Sequence, residues 1–202
     1  MTIRITENSA LPSTQLHGKF VRVDELTLDE HHQMFALMNR HYENVIWSQF
    51  MADLNEKQLL IKVTDEAGTV QGFSTQVLQE ISLPDQRSVL VVFSGDTILD
   101  EAYWGNPVMP KLCAHFAHWL TTTFTDREIY WHLICKGHKT YHFLPTMFRE
   151  YYPHHEKPIS PDMLKVLDAA SRFRYPDHWK PDRGIIAACD LDNYPKEEIA
   201  TP

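Results

Sequence analysis

The sequence has few cysteines, few glycines and no long apolar segment, and each shortage excludes a class of protein. Its three cysteines, Cys113, Cys135 and Cys189, are widely spaced and odd in number, which argues against a disulfide framework or a CxxC metal knuckle. Apolar runs such as 89–93 are far shorter than the roughly 20 residues of a membrane helix. The N-terminus also lacks the charged-then-apolar pattern of an export signal. We therefore expect a cytoplasmic protein without a membrane partner.

Basic charge is scarce as well. There are 19 Lys and Arg residues against 27 Asp and Glu, giving a formal charge of -8, and no segment gathers the basic residues into one face. Nucleic acid is therefore not an expected partner. Among only seven glycines, none forms a GxSxG, GxxxxGK or GxGxxG motif, so hydrolase, nucleotidase and dinucleotide-binding functions have no motif to support them.

The composition that is present is that of an ordinary folded protein. Of the 202 residues, 43% are apolar and 11% aromatic, enough to bury a core. We expect a single domain over 1–175. The remainder, 176–202, is rich in proline and aspartate and is expected to pack on that domain as an extension or to be partly mobile.

The most informative stretch is "SGDTILDEAYWGNP" at 94–107. An apolar strand, Arg87–Phe93, precedes it, and Gly95 predicts a bulge or kink in that strand. Asn106 is a natural helix N-cap and Pro107 suits the first helical position. The pattern therefore predicts a strand, a turn and a helix.

The same kinds of signal organise the rest of the chain. Thr27 and Glu30 have the spacing of a capping box, the turn "DEAG" joins two strands of a hairpin, and Ser160 caps a final helix. The predicted buried face of that helix comprises Met163, Leu164, Leu167 and Phe173. The order of elements predicts an α+β fold around one mixed, mostly antiparallel sheet flanked by helices.

This order, together with "TILDEAYWGN", resembles the Gcn5-related N-acetyltransferase superfamily over roughly 20–150. In that family a strand ending in a phrase like V-x-P-E-Y-R-G turns into a helix that holds the pyrophosphate of acyl-CoA. The residues 98–105 occupy that place here. The resemblance implies an acyl-CoA N-acyltransferase fold and transfer of an acyl group from a CoA-type thioester to an amine or similar small nucleophile.

The family's pyrophosphate motif, Q/R-x-x-G-x-G/A, is altered here. Trp104 stands for the arginine, Pro107 for the middle glycine and Met109 for the last small residue. One interpretation is an enzyme that holds acyl-CoA differently, with a donor site at Trp104, Gly105, Asn106 and Val108. The other is a non-catalytic binding or assembly module that keeps the fold without a working CoA site.

Direct transfer to an amine needs a base for the amine proton and an acid for the leaving thiolate. The resemblance places candidates on the last two strands and the helix that follows: Asp96 as base, Tyr141 as acid and His132 as a second base near neutral pH. Each has a structural alternative. Asp96 could be a turn residue without a catalytic role, and Tyr141 could belong to an aromatic core. His132 could be a strand residue that is paired inside the protein or exposed to solvent.

Twelve histidines raise the question of a metal. His138 and His142 could share a helical face, as could His115 and His118, but neither pair has the glutamate of an HExxH motif. We expect no metal, an acceptor molecule of unknown identity and, if the aromatic segment 143–152 is exposed, a homodimer.

Overall fold

A six-stranded mixed sheet forms the centre of the computed structural model, which describes residues 2–4, 15–134, 141–152, 154, 156–187 and 194–196. The strands follow the order β1-β2-β4-β5-β6-β7, and every neighbouring pair is antiparallel except β6 and β7. The sheet strands are β1 (Thr2–Arg4), β2 (His17–Arg22), β4 (Leu59–Thr64), β5 (Val70–Ser82), β6 (Ser88–Leu99) and β7 (Ile129–Leu133). The predicted α+β class with a mostly antiparallel sheet is confirmed.

Helices cover both faces of the sheet. They are α1 (Leu28–His41), α2 (Trp47–Asn55), α3 (Val108–Thr123), α4 (Phe143–Met147) and α5 (Pro161–Arg174). The first two pack with Leu60 and Phe73, while α5 packs with Val89 and Val91 on the same side. On the opposite side, α3 packs against alternate residues of the same strands, such as Val92. We call these sides the α1 face and the α3 face.

The predicted helix caps form as the sequence indicates. The Glu30 backbone N–H donates to Thr27 Oγ1 at 3.2 Å, and Glu30 Oε2 accepts from the Thr27 N–H at 2.9 Å. Ser160 Oγ accepts from the Met163 N–H at 3.1 Å. These bonds satisfy N–H groups that have no partner inside the helix, and they fix where α1 and α5 begin.

Two helix predictions were wrong in detail. Instead of the predicted leucine and phenylalanine face, α5 buries Val166, Ala170 and Ser171, and Leu164 and Phe173 are 44% and 59% exposed. Val166 and Ala170 of this face pack against Val89 and Val91 of the sheet. Helix α3 begins at Val108, one residue later than predicted.

The bulge predicted at Gly95 is confirmed. Ser74 pairs with Thr97 but Gln76 pairs with Ser94, so two steps along β5 match three along β6. The extra residue lies at 95–96, where a Cβ on Gly95 would come 2.5 Å from Thr75 Oγ1. Only glycine fits this close approach, which explains its place in an otherwise apolar strand.

Short strand pairs attach the end of the chain. Trp179–Lys180 (β8) pairs with Ile185–Ile186 (β9), and Tyr194–Pro195 (β10) pairs with Tyr42–Glu43 (β3). The Trp179 indole is buried and donates to Asp168 Oδ1 at 2.8 Å. The division into 1–175 and 176–202 stays a prediction. Within the described ranges, no helix is both long enough and apolar enough to cross a membrane.

Candidate functional site

The candidate site lies where the pairing of β6 with β7 ends, and we call the region beside β6 beyond Ser94 the cleft. Strand β7 pairs with β6 only from Leu90 to Ser94, whereas β6 continues to Leu99. Beyond Ser94 the described strands give β6 a partner only on its β5 side. As far as the described strands show, the edge 95–99 therefore presents backbone hydrogen-bonding groups on the side where β7 has ended.

On the α1 face, a buried lysine closes the base of this cleft. The Lys57 side chain is 1% exposed, and its Nζ donates to Asp53 Oδ1 at 2.5 Å and to the Asp53 carbonyl at 3.0 Å. Its Cε lies 2.9 Å from the position of a Cβ on Gly95. Arg174 of α5 also approaches Asp53, at 3.8 Å, so two cations surround one carboxylate beneath the bulge.

The α3 face of the cleft base carries five hydrogen-bonded side chains, which we call the polar chain. The Trp131 indole donates to Ser94 Oγ at 2.6 Å, and Ser94 Oγ donates to Gln76 Oε1 at 2.6 Å. Gln76 Nε2 donates to Ser74 Oγ at 2.7 Å, and Ser74 Oγ lies 2.7 Å from Thr97 Oγ1. The polar chain thus crosses from β7 through β6 to β5 and returns to β6 beyond the bulge.

Sequence analysis missed the polar chain and Lys57, although part of the signal was visible. Ser74 and Gln76 are two apart in an apolar strand, and this spacing puts both side chains on one face. Their connection to Ser94 and Thr97 depends on the register around the bulge. A single sequence does not specify that register.

Asp96 lies half-buried at the bulge itself. Burial and, to a smaller extent, the Asp96 charge together raise the pKa of Tyr42 to about 12. The pKa of Tyr175 is raised by burial and, as a smaller cause, by the same charge. The carboxylate therefore lies near two tyrosines on the α1 face, at the start of the edge 95–99.

His132 lies on β7, away from that edge. Its ring is 6.1 Å from the Phe93 ring, and Nε2 is 3.5 Å from the hydroxyl of fully buried Ser171 on α5. Burial lowers the pKa of His132 to about 4. An imidazole in this environment is neutral at pH 7 and a weak base, so the geometry favours Asp96 over His132 as base.

Tyr141 lies two residues before the start of α4 and is half-buried. The pKa of Tyr151 is raised by burial and, to a smaller extent, by Tyr141. Residues 135–140, which connect β7 to Tyr141, lie outside the described residues. His138 of the predicted histidine pair lies there too.

The donor-site candidates 104–108 connect β6 to α3. The Trp104 indole is 49% exposed and donates to the Leu99 carbonyl at 2.9 Å, which folds the ring back over the strand end. Gly105 has φ +84°, and no atom lies within 4 Å of the position of its Cβ. A side chain of any other residue would be strained there by the backbone conformation.

The start of α3 has few N–H groups to offer a ligand. Pro107 and Pro110 have none, and the Val108 N–H already donates to Asn106 Oδ1 at 2.9 Å. The Val108 side chain is fully buried in the core. Asn106, which was predicted to offer polar contacts to acyl-CoA, therefore uses its Oδ1 to accept from the Val108 N–H, and the N-cap position itself is Pro107. An anion here would rely on the helix dipole and the Met109 N–H.

A groove of about 640 Å³ runs past the ends of β2 and β4 and shares Lys57 with the base of the cleft. Its other lining residues include Arg22, His31 and Trp119. Cys113 is buried in α3, where burial raises the pKa of its thiol to about 11. Among the described residues, no group of three or more histidine, cysteine, aspartate or glutamate side chains is arranged to hold a metal.

Comparison with known proteins identifies the fold. No family model matches the sequence, and no curated protein is significantly similar to it. Among solved structures, the aminoglycoside N-acetyltransferase AAC(6')-Iy in complex with CoA is 13% identical with a TM-score of 0.52, over 75% of this chain and 99% of that one. The described chain therefore has the fold of the Gcn5-related N-acetyltransferases, as the resemblance predicted.

Two other solved structures are similar at lower scores. Glucosamine-6-phosphate N-acetyltransferase from Arabidopsis thaliana is 10% identical, with a TM-score of 0.48 over 71% of this chain and 99% of that one. The GNAT family N-acetyltransferase YhbS from Escherichia coli, in complex with CoA, is 15% identical with a TM-score of 0.42. That match covers 58% of this chain and 62% of the Escherichia coli protein.

Proposed function

We propose that the protein is an acyltransferase that moves an acyl group from a CoA-type thioester to an amine or similar small nucleophile. The observation that carries the proposal is the edge 95–99 of β6, which has no strand partner on its β7 side among the described strands and starts at a bulge beside the half-buried carboxylate of Asp96. A strand edge binds extended, amide-bearing chains through backbone hydrogen bonds. The pantetheine arm of CoA is such a chain.

The bulge supplies the second requirement, a base at the point where the thioester would end. The amine nitrogen attacks the thioester carbon, its proton passes to Asp96, and collapse of the intermediate forms the amide and breaks the C–S bond. The departing thiolate takes a proton from an acid, the role we assign to Tyr141. The Asp96 charge acts on both Tyr42 and Tyr175, and we infer that these groups favour an organic cation, since aromatic rings and a carboxylate both attract ammonium groups.

Acyl-CoA would be held without the glycine-rich phosphate loop. We assign its nucleotide end to the segment 104–108, where Trp104 is half-exposed and Gly105 leaves open space. The partial positive charge at the start of α3 favours the phosphates. Trp104 would contact the ligand by stacking.

A turnover assay tests the proposal. Release of free CoA thiol would be followed from acetyl-CoA and a long-chain acyl-CoA, with a panel of primary amines of increasing size. Because positioned general bases typically contribute about 100-fold or more, Asp96→Asn should lower kcat by at least that factor. Asp126→Asn is the matched control, since Asp126 is an exposed carboxylate that pairs with Arg127.

The second candidate function is a non-catalytic binding or assembly module, on account of the few N–H groups at the start of α3. Thiol release that depends on an amine and on Asp96 would support the enzyme. Absence of release from both thioesters with every amine would favour the module.

A further inference from the structure

We propose that the hydroxyl of Thr97 is an oriented hydrogen-bond donor that binds an amide carbonyl oxygen of the pantetheine arm of acyl-CoA. The inference rests on the proposed function and adds a binding residue to it. It comes from the direction and burial of the polar chain, which ends at Thr97. Thr97 itself is exposed on the unpaired part of β6.

The direction of the polar chain follows from Trp131, because an indole nitrogen can only donate. Ser94 accepts that bond and gives its own proton to Gln76 Oε1, and the Gln76 amide nitrogen donates to Ser74. The Ser74 proton is then directed to Thr97 Oγ1. Thr97 accepts, so its own proton points away from the polar chain.

The opposite arrangement satisfies fewer groups. If the Gln76 amide were turned over, Ser94 would accept from both Trp131 and Gln76. Its own proton would then lose the acceptor that it has at 2.6 Å. Among the described residues, no further group accepts from Thr97, which leaves its proton for a molecule in the cleft.

Burial of the polar chain argues against simple space filling. Ser74 and Gln76 are each 1% exposed and Ser94 is 5% exposed, on a face otherwise packed with residues such as Val92. Burying polar groups is costly unless each is hydrogen-bonded, and apolar side chains of similar shape would fill the same space at lower cost. Apolar side chains could not provide a hydrogen-bond donor of fixed orientation at the cleft.

Position along β6 selects the part of the ligand. Thr97 is two residues beyond Gly95, about 7 Å along an extended strand, in the direction of α3. If acyl-CoA binds with its thioester at the bulge and its phosphates at the start of α3, the pantetheine arm between those ends must lie beside Thr97. The arm contains amide carbonyls, which accept a hydroxyl proton.

The test compares affinities for CoA and acetyl-CoA by calorimetry. The variants are Thr97→Val, which keeps the shape and removes the hydroxyl, and Thr97→Ser, which restores it. One neutral hydrogen bond corresponds to about three- to tenfold in affinity. Thr97→Val should lose that factor for CoA and acetyl-CoA alike, and Thr97→Ser should recover most of it. Trp131→Phe, which removes only the indole donor at the start of the polar chain, should lower the affinity for both ligands by a smaller factor.

Ser88→Ala is the control, because Ser88 lies at the other end of the same strand and donates to Glu80. Thr97→Val that binds both ligands as the wild type does would overturn the inference and leave the proposed function standing. A loss confined to acetyl-CoA would also overturn it, since the contact would then be to the thioester. If the wild type binds neither ligand, the proposed function fails and the inference fails with it.

Discussion

The burial of His132 makes the protein's stability depend on pH in a defined window. Burial lowers the pKa of His132 from its ordinary 6.5 to about 4. As pH falls below 6.5, the unfolded chain binds a proton at His132 but the folded protein does not until about pH 4. The unfolded state therefore gains protons first, and stability that is complete above pH 6.5 is lost as pH falls toward 4.

The size of the effect follows from the same pKa. At about 1.4 kcal/mol for each pH unit, lowering the pKa from 6.5 to about 4 corresponds to about 3 kcal/mol. Between pH 7.5 and 4.5, His132 should reduce the free energy of unfolding by about 2.5 kcal/mol. Burial also lowers the pKa of His41, so the wild-type decrease alone does not isolate His132.

Urea unfolding at pH 7.5 and 4.5 of the wild type and His132→Gln isolates it. The substitution changes stability at both pH values, but the variant should lose about 2.5 kcal/mol less than the wild type on acidification. His118→Gln, at an exposed position of α3, controls for replacing a histidine. Equal losses in the wild type and His132→Gln would refute the conclusion that His132 is buried and neutral.

Two further stability predictions concern the bulge and the first helix cap. Gly95→Ala should lower the free energy of unfolding by about 1 to 3 kcal/mol, measured with urea, because its Cβ would meet Thr75 and Lys57. Adding Thr75→Ala in the same chain should recover part of this loss. An unchanged urea midpoint for Gly95→Ala would contradict the tight packing. Thr27→Ala should cost about 1 kcal/mol because it removes the Thr27 Oγ1 that accepts from the Glu30 N–H. Thr27→Ser keeps the hydroxyl and should not, and equal losses in both would contradict the cap.

Local signals in the sequence predict the elements well. Thr27 with Glu30, and Ser160 before Pro161, mark helix starts because the interactions involve neighbours in the chain. Gly95 marks the bulge because a glycine in an apolar strand indicates close approach of another chain segment. These features need no knowledge of the tertiary structure.

Sequence reasoning failed on the buried face of α5 and on the strand register. The face of α5 was predicted from residues including Leu164 and Phe173, but the helix buries Val166, Ala170 and Ser171. Apolar periodicity alone does not identify small residues as the buried face. The polar chain was missed because it joins three strands whose alignment depends on one extra residue at the bulge.

The candidate site shows the same division. Asp96 was selected from its place beside Gly95, a local feature, and it does lie at the bulge. Val108 was selected for acyl-CoA, but its side chain is in the core and its N–H is bonded to Asn106. Tertiary packing decides which side chains around the junction remain available to a ligand.

The central claim is that the cleft beyond Ser94 holds acyl-CoA, and the most direct test is calorimetric titration of the wild type with acetyl-CoA, repeated on Trp104→Ala. We predict saturable binding to one site that Trp104→Ala weakens. Absence of binding by the wild type, or affinity that Trp104→Ala leaves unchanged, would contradict the assignment of this cleft and its 104–108 segment to the acyl donor.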